Sequence, residues 1–209
     1  MQLSKVSRNI CLMMKSTKSL LTPYGQSKLQ NEEIFRDLDA PNPDWKIVSL
    51  RYFNSVSVHE YGLISEDSNG VSNNLMPYVA EVASGVLPHL NNLGGSYETR
   101  DGTGGDYIHV MDLAEGHKAP LFFLRNHMGW NYLKICAGKP TSVIGLLNVF
   151  EKIIRKKLNT IIENRQLGGL PCFYVIIKQV QIKRDWSVTR SIEEVCTNVW
   201  KFQKGSNFP

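Results

Sequence analysis

Residues 22–53 read TPYGQSKLQNEEIFRDLDAPNPDWKIVSLRYF, and this segment indicates the fold class. Thr22 can cap a helix, and Pro23 suits the first helical position. Apolar residues then recur at helical spacing as far as Leu38, which predicts a helix that the following prolines end. The β-branched and aromatic run 45–53 predicts a strand directly after it.

Helix and strand patterns continue to alternate along the rest of the chain. The Ser, Gly, Asn and Asp content predicts loops over 54–72 and 90–105. We expect helices after Asn74, near Asp112 and from Ser142, strands at 107–110 and 172–177, and a last helix opened by the capping box Ser191-x-x-Glu194. Pro120 is expected to kink or shorten its helix. Helices alternating with strands predict an α/β fold.

Length and composition exclude several classes of protein. The chain has 209 residues, of which 42% are hydrophobic and 21% charged, which indicates a globular protein with a core rather than a disordered one. No apolar run approaches the ~18 residues of a membrane span, so we expect no membrane association. The four cysteines form no Cys-x-x-Cys pair and lie near no His at metal spacing, which predicts reduced thiols, a cytoplasmic location and no metal site.

The pair Tyr24 and Lys28 carries the clearest chemistry. Residues four apart share one face of a helix. A lysine ammonium beside a phenol stabilises the phenolate form, which can then act as a general base near neutral pH. Taken alone, such a pair is more often an ordinary surface tyrosine and lysine, so the interpretation needs further residues.

Further motifs supply that support, in a fixed order and spacing from about Thr22 to Leu113. They are Pro23-Tyr24-Gly25 with Ser27-Lys28, Leu50-Arg51-Tyr52-Phe53-Asn54, Asn73-Asn74-Leu75-Met76-Pro77-Tyr78, Asp101-Gly102-Thr103-Gly104 and Asp106-Tyr107-Ile108-His109-Val110-Met111-Asp112-Leu113. Together they make the chain resemble the C-terminal half of the UDP-glucose 4-epimerases, which are extended short-chain dehydrogenases/reductases.

The resemblance implies a domain organisation. The chain is expected to be the C-terminal part of an NAD-binding Rossmann-type fold plus its small substrate-binding domain, with the N-terminal Rossmann strands missing. Residues 1–21 form a basic segment outside the resemblance, and residues 22–54 the tail of the Rossmann domain. Residues 55–209 form the UDP-sugar-binding α/β region, partly interleaved with the Rossmann sheet.

The resemblance also implies an activity and a cofactor. These enzymes interconvert UDP-galactose and UDP-glucose in galactose metabolism, through a 4-keto intermediate formed with NAD. Tyr24 is then the catalytic base, while Lys28 stabilises its phenolate and holds the nicotinamide ribose; both therefore also contact the cofactor. Tyr52 and Phe53 lie near the nicotinamide. The main NAD-binding domain is expected to be absent, since no Gly-x-Gly-x-x-Gly fingerprint occurs in the chain.

The substrate contacts that the resemblance implies fall into two groups. Four residues are expected to contact the UDP-sugar, and three to line the uridine. The first group is Asn54, Asn73, Asn74 and Leu75, and the second is Asn91, Asn92 and Leu93. The alternative explanation for each single asparagine is that it stabilises a turn or caps a helix.

The sequence departs from the family at several substrate positions. Gly105 alone stands where the family has Val-Arg, and Gln166 stands where it has a second phosphate-binding arginine. Gly169 replaces an aspartate that binds ribose. Loss of two charge-assisted contacts predicts UDP-sugar affinity on the order of a hundredfold lower. Phe173 occupies a gate position where a ring favours UDP-glucose or UDP-galactose over N-acetylated sugars.

Three functions therefore remain open. The first is a UDP-glucose 4-epimerase-like enzyme, which is competent once the missing Rossmann half is supplied but not alone. The second is an inactive epimerase-derived chain that acts at most as a binding partner, through homodimerisation or association with a complete subunit. The third is binding of nucleic acid or another anionic surface by segment 152–190; from Glu151 to Arg190, nine basic residues oppose three acidic ones. We consider nucleic acid the least favoured, because cations are common at helix ends.

Overall fold

A computed structural model describes residues 23–42, 44–66, 72, 74–92, 104–162, 172–173 and 186–205. Within these ranges the side chains of residues 92, 162, 172 and 173 are not described. Thr22, the predicted helix cap, lies outside the described residues.

Six helices and eight strands make up the described part of the chain. The helices are α1 (Pro23–Asp39), α2 (Leu75–Ser84), α3 (Val110–Gly116), α4 (Ala119–Asn126), α5 (Val143–Ile154) and α6 (Ile192–Gly205). The strands are β1 (Lys46–Tyr52), β2 (Asn54–Val56), β3 (Leu90–Asn92), β4 (Gly104–His109), β5 (Gly129–Ile135), β6 (Pro140–Ser142), β7 (Thr160–Ile162) and β8 (Cys172–Phe173).

The strands pair mainly in parallel. Strand β1 pairs with β5 along its whole length, from Lys46 opposite Gly129 to Tyr52 opposite Ile135. Strand β4 pairs in parallel with β2 and β8 and antiparallel with β6, while β3 pairs in parallel with β7. Parallel pairs need long crossovers, which helices provide here. The predicted α/β class is therefore confirmed.

Helix α1 lies against the β1–β5 sheet through charged and aromatic contacts. None of its residues is buried. Arg51 of β1 forms a two-pronged ion pair with Glu32, and its guanidinium carbon lies 4.4 Å from the ring centroid of Tyr132. The Arg36 guanidinium lies 5.1 Å from the Trp130 ring centroid. Fork-shaped arginine contacts of this kind fix orientation as well as position, so they hold the helix in register on the sheet.

Apolar side chains form two separate clusters. The larger joins helices α2, α5 and α6 around Met76, Leu146 and Val195. The smaller joins Ile108, Leu113 and Ile135 beneath the ring of Trp186. Each cluster removes apolar surface from water and fixes the strands that carry the candidate site.

Two predicted helix starts have the expected caps. The Ser142 hydroxyl accepts a hydrogen bond from the Gly145 amide at 2.9 Å. At the start of α6, the Glu194 amide donates to the Ser191 hydroxyl at 3.2 Å, and the Ser191 amide donates to the Glu194 carboxylate at 2.7 Å. The capping box is therefore confirmed.

Several boundaries were wrong. Strand β2 lies within the loop predicted over 54–72, β3 lies within the one predicted over 90–105, and β4 begins at Gly104, before the predicted strand. The helix expected near Asp112 is α3, which ends at Gly116, short of Pro120 as expected; Pro120 itself lies in the first turn of α4, a helix that was not predicted. Strand β5 was not predicted, because its sequence GWNYLKI lacks alternation and its partner β1 lies about eighty residues away.

Gly116 is enclosed at the end of α3. A β-carbon placed there lies 3.0 Å from the Trp186 ring and 3.3 Å from a methyl group of Ile135. Gly116→Ala is therefore expected to lower the free energy of unfolding by about 1–3 kcal/mol through overpacking, measured by urea denaturation. The matched control is Gly205→Ala in α6, where an added β-carbon meets no described atom within 4 Å apart from its own helix backbone. An unchanged stability for Gly116→Ala contradicts this packing.

Candidate functional site

The face of α1 that carries Tyr24 and Lys28 is open to solvent. The Lys28 ammonium lies 5.1 Å from the centroid of the Tyr24 ring, and Tyr24 is 72% exposed. The Ser27 hydroxyl donates to the Tyr24 carbonyl at 2.8 Å, within the same turn. The ammonium therefore makes a cation–π contact with the ring, and the exposed ring can be reached by a ligand.

The carboxyl end of β1 carries the predicted cofactor contacts. Tyr52 is the last residue of the strand and is 54% exposed, with its ring centroid 6.1 Å from that of His117. Phe53 follows and is half-buried. Carboxyl ends of parallel strands are where α/β proteins bind ligands, so the position of both residues suits a cofactor contact.

Three of the predicted substrate residues surround one cleft of about 1030 Å³. Asn54 begins β2, while Asn74 and Leu75 stand at the start of α2, and all three line the cleft. Tyr107 of β4 and Phe202 of α6 close other sides. The volume is at the upper end of the range for small-molecule sites.

Asn74 is held by a carboxylate from a preceding loop. Its side-chain nitrogen donates to both Glu66 oxygens, at 2.8 and 3.0 Å. Although Asn74 stands at the N-cap of α2, its side chain makes no capping hydrogen bond. Glu66 also lines the cleft, and sequence analysis did not single it out.

Gly105 lies directly against Asn54. A β-carbon built on Gly105 falls 2.7 Å from the Asn54 side-chain nitrogen and 3.6 Å from the Tyr107 ring. No side chain fits here unless the Asn54 amide moves. Among the described residues that line the cleft, Glu66 and Glu81 are carboxylates and none is lysine or arginine. The described walls therefore offer a diphosphate no cation at this point.

Asn91 lies in β3, away from the residues that line the cleft. Its backbone amide donates to the Tyr78 hydroxyl at 3.4 Å, and that hydroxyl donates to the His89 carbonyl at 3.2 Å. The Asn91 side-chain oxygen is buried and has no hydrogen-bond partner in the described part of the chain.

The remaining predicted site residues cannot be placed. Asn73, Leu93, Gln166 and Gly169 lie outside the described residues. Asn92 and Phe173 belong to β3 and β8, but their side chains also lie outside the description. Their roles remain predictions.

His109, at the carboxyl end of β4, joins three elements. Its Nδ1 accepts from the Met111 amide at 3.1 Å, and its Nε2 lies 3.1 Å from the Ser57 hydroxyl and from the Asn198 side-chain nitrogen. Ser57 has a φ of +80°, a left-handed conformation that favours glycine. A ring whose Nδ1 accepts a backbone hydrogen bond is not a general base toward that serine. This contact is therefore structural.

Burial lowers the pKa of His109, and the charge of Arg190 lowers it further. Asp112 and Glu194 act in the opposite direction, and His59 adds to the lowering. The native state therefore keeps the ring neutral at pH values where the unfolded chain, with a histidine pKa of about 6.5, binds a proton.

We therefore expect the contribution of neutral His109 to the free energy of unfolding to be fully present above pH ~6.5. This contribution is lost as the pH falls through the lowered native pKa, by up to about 1.4 kcal/mol per pH unit. Urea denaturation at a series of pH values measures this. His109→Gln cannot titrate, so its stability should depend less on pH in this window. Identical slopes for both proteins contradict the assignment.

Two fully buried aspartates stabilise the loops around β4. Asp106 accepts hydrogen bonds from the Ala137 and Gly138 amides, at 2.7 Å each. Burial raises the pKa of Asp106, while these two amides oppose the rise. Asp112 accepts from the Thr189 hydroxyl at 3.0 Å and from Arg190 at 2.5 Å. Both carboxylates are enclosed by protein, which makes them structural residues.

The described thiols are also enclosed. Burial raises the pKa of both Cys136 and Cys196 to about 12, so both are protonated at neutral pH and poor nucleophiles. Within the described ranges, no group of three His, Cys, Asp or Glu residues is arranged to hold a metal ion. No helix in those ranges is both long and apolar enough to span a bilayer.

Of the basic segment 152–190, the structure describes residues 152–162, 172–173 and 186–190. Lys152, Arg155 and Lys156 surround a surface hollow of about 480 Å³ at the end of α5. Lys157 also lines it, but its ammonium pairs with Glu151 at 2.5 Å. This arrangement is typical of cations at a helix C-terminus, where they interact favourably with the helix dipole.

Comparison with known proteins gives consistent matches. Residues 13–128 match the NAD dependent epimerase/dehydratase family. A UDP-glucose 4-epimerase of Neisseria meningitidis is 40% identical over 182 residues, covering 87% of this chain and 54% of the relative. UDP-glucose 4-epimerase 2 of Arabidopsis thaliana is 42% identical over 197 residues, covering 93% and 56%. The chain thus spans about half the length of the curated relatives it matches.

Solved structures of UDP-glucose 4-epimerases also superpose on this chain. The Stenotrophomonas maltophila UDP-glucose-4-epimerase, with bound NAD and formylated UDP-arabinopyranose, superposes with a TM-score of 0.81 at 35% identity, covering 90% of this chain and 56% of that one. The Bifidobacterium longum UDP-glucose 4-epimerase, in complex with NAD+ and UDP, gives 0.81 at 36% identity, covering 88% and 55%.

Proposed function

Because the chain belongs to the NAD dependent epimerase/dehydratase family, we propose that it is a UDP-glucose 4-epimerase-like protein. It supplies the catalytic pair and the sugar cleft for interconversion of UDP-galactose and UDP-glucose, when joined to the NAD-binding half that the resemblance implies. The observation that carries this proposal is the Lys28 ammonium 5.1 Å from the exposed Tyr24 ring on α1.

In this proposal each residue of the pair has a defined task. Tyr24 removes the proton from the 4-hydroxyl of the sugar, and Lys28 stabilises the negative charge on the phenol oxygen. NAD, when bound, supplies hydride acceptance and return. The chain fits NAD in part, since the exposed Tyr24 and Lys28 can meet the nicotinamide ribose. Tyr52 and Phe53 would flank the nicotinamide.

The cleft supports the substrate half of the proposal. Asn54, Asn74 and Leu75 line one space large enough for a sugar nucleotide. The buried oxygen of Asn91, which has no hydrogen-bond partner among the described residues, stands at a position that the resemblance assigns to uridine binding. Contacts from Asn73, Asn92 and Leu93 are part of the same proposal.

One observation favours the alternative, an inactive chain that acts as a binding partner. Gly105 stands against Asn54 where the family has an arginine, and the described cleft walls carry carboxylates without a cation. Titration calorimetry with UDP-glucose separates the two hypotheses. Saturable binding supports the substrate role, whereas absence of heat up to millimolar concentration supports the alternative.

The catalytic role is tested in a chimera. Residues 22–209 are joined to the N-terminal NAD-binding part of the Neisseria meningitidis relative, and conversion of UDP-galactose to UDP-glucose is followed in the presence of NAD. The relative's own chain is the positive control. Conversion above that of the N-terminal part alone supports the proposal. A folded chimera that binds NAD without converting substrate contradicts it.

Location and assembly are also proposals. The free, buried thiols of Cys136 and Cys196 support a cytoplasmic protein. Exposed Ile34, Phe35 and Leu38 on α1 support association through that helix, as a homodimer or with a complete subunit. Sedimentation of the purified chain at several concentrations measures this association.

A further inference from the structure

The imidazole ring of His109 lies behind three walls of the cleft. The residue is only 1% exposed. Its Nδ1 is 3.1 Å from the Met111 amide at the start of α3, and its Nε2 is 3.1 Å from the Ser57 hydroxyl and from the side-chain amide of Asn198. Ser57 and Met111 line the cleft, and so does Val199, the neighbour of Asn198 in α6. One ring therefore contacts three of the elements that shape the cleft.

These contacts decide which nitrogen of the ring carries the proton. The Met111 amide is a backbone donor with a fixed direction, so Nδ1 accepts and carries no proton. A neutral imidazole then carries its proton on Nε2, which is the donor. The side-chain amide of Asn198, which lies beside Nε2, can present either of its two atoms. Only its oxygen accepts, so the oxygen faces this hydrogen.

The Ser57 hydroxyl extends this row of hydrogen bonds to α6. It accepts from Nε2 of His109 and donates to the Val195 carbonyl at 3.2 Å, which is nearer than the Val58 carbonyl at 3.4 Å. Val195 lies near the start of α6. Ser57 keeps a φ of +80°, a conformation that suits glycine better. Glycine has no hydroxyl, so it could not make this link between the ring and the helix.

Protonation of the ring reverses one of these contacts. The second proton of an imidazolium binds to Nδ1, where it faces the N–H of Met111, so two donors oppose each other. Burial lowers the pKa of the ring most, Arg190 and His59 lower it further, and Asp112 and Glu194 raise it. The ring therefore becomes charged only below the histidine reference value of about pH 6.5.

We propose that His109 and Ser57 form a pH-sensitive switch of the cleft. While the ring is neutral, the hydrogen bonds that run from the Met111 amide to the Val195 carbonyl join the start of α3, the loop after β2 and α6. Protonation at Nδ1 breaks the contact with Met111 and releases the start of α3 from this arrangement. The inference concerns the free chain, and it rests on the proposed function only for the identity of the ligand, a UDP-sugar.

The position of the proton is tested by NMR on the full ¹⁵N-labelled chain without ligand. At neutral pH we expect long-range ¹H–¹⁵N spectra to show a proton on Nε2 of His109 and none on Nδ1. His127 is the control in the same spectrum. Its Nδ1 lies 2.9 Å from the Phe123 carbonyl and donates to it, which gives the opposite tautomer. A neutral His109 with its proton on Nδ1 overturns the proposal.

The switch itself is tested by acidification of the same sample. We expect the backbone amides of Met111 and Ser57 to shift with the same midpoint as the His109 ring, and this shared transition to be absent in His109→Gln. The Cys196 amide, which shares a peptide bond with the Val195 carbonyl, should follow the ring in the wild type but not in Ser57→Ala. Ser57→Gly, which relieves the left-handed backbone, should behave like Ser57→Ala. Wild-type amides that do not follow the ring overturn the proposal.

The consequence for the cleft is tested by calorimetry with UDP-glucose at a series of pH values. Below the native pKa of His109, the affinity of the wild type should fall by up to about tenfold per pH unit, and that of His109→Gln should fall less. The titratable residues His59, Glu66 and Glu81 also line the cleft. They are present in both proteins, so the difference in slope belongs to His109.

Equal slopes for the two proteins overturn the link between the ring and the cleft. Absence of UDP-glucose binding at every pH refutes the proposed function instead, and the NMR titration of the free chain then decides whether the switch exists.

Discussion

Replacing Tyr24 with phenylalanine is expected to lower the rate of UDP-galactose conversion by the chimera about 10²–10⁴-fold. The substitution removes one oxygen atom, and with it the group that takes the proton from the sugar hydroxyl. The exposed ring position and the helix contacts of α1 remain, so folding should not change. The measurement is kcat in the conversion assay, with NAD binding confirmed for each variant.

A matched control is available on the same chain. Tyr61 is also a largely exposed tyrosine, but it lies in the loop after β2 and has no role in the proposed mechanism. Tyr61→Phe should keep the wild-type rate. If Tyr24→Phe and Tyr61→Phe have the same kcat, Tyr24 is not the base.

Replacing Asp112 with alanine is expected to lower the free energy of unfolding by about 3–5 kcal/mol. Asp112 is completely buried and accepts from the Thr189 hydroxyl and from the Arg190 guanidinium, whose contact measures 2.5 Å. Its removal leaves a partly buried cation without its main partner, which is more costly than the loss of a surface pair. Urea denaturation measures the change.

Glu115 provides the comparison, because it pairs with the same guanidinium at 3.1 Å but is 45% exposed. Glu115→Ala should cost less than about 1 kcal/mol, as surface ion pairs do. If both variants lose the same free energy of unfolding, burial of Asp112 is not the reason that its contact with Arg190 stabilises the protein.

Local features of the sequence predicted local features of the structure. Pro23 and the helical spacing to Leu38 predicted α1, on which Tyr24 and Lys28 share a face. Ser142 and the Ser191–Glu194 box predicted two helix starts, since the capping atoms lie within three residues of the amides they bind. Such contacts depend on few residues, so they can be recognised before the fold is known.

Contacts across long separations could not be predicted in this way. The pairing of β1 with β5 and the ion pair of Asp112 with Arg190 join distant segments. Ser57 meets His109 only because the chain bends at a left-handed serine, and glycine is the usual signal for such a bend. These contacts depend on tertiary packing, which periodicity does not encode.

The candidate site was predictable as far as the resemblance reached. It assigned Asn54, Asn74 and Leu75 to one substrate, and the structure places all three around one cleft. Glu66 carries no motif of its own, so its place in the cleft and beside Asn74 is visible only in the structure. The close approach of Gly105 to Asn54 is likewise a matter of geometry, although the missing arginine was visible in the sequence.

The most direct test of this account is to map UDP-glucose binding onto the full chain by the backbone amide shifts of ¹⁵N-labelled protein. The account predicts concentration-dependent shifts at Asn54, Asn74 and Leu75, which line the cleft, and none at Lys152 or Arg155. Amides of the cleft that do not move at millimolar UDP-glucose, or shifts confined to the basic hollow at the end of α5, would contradict it.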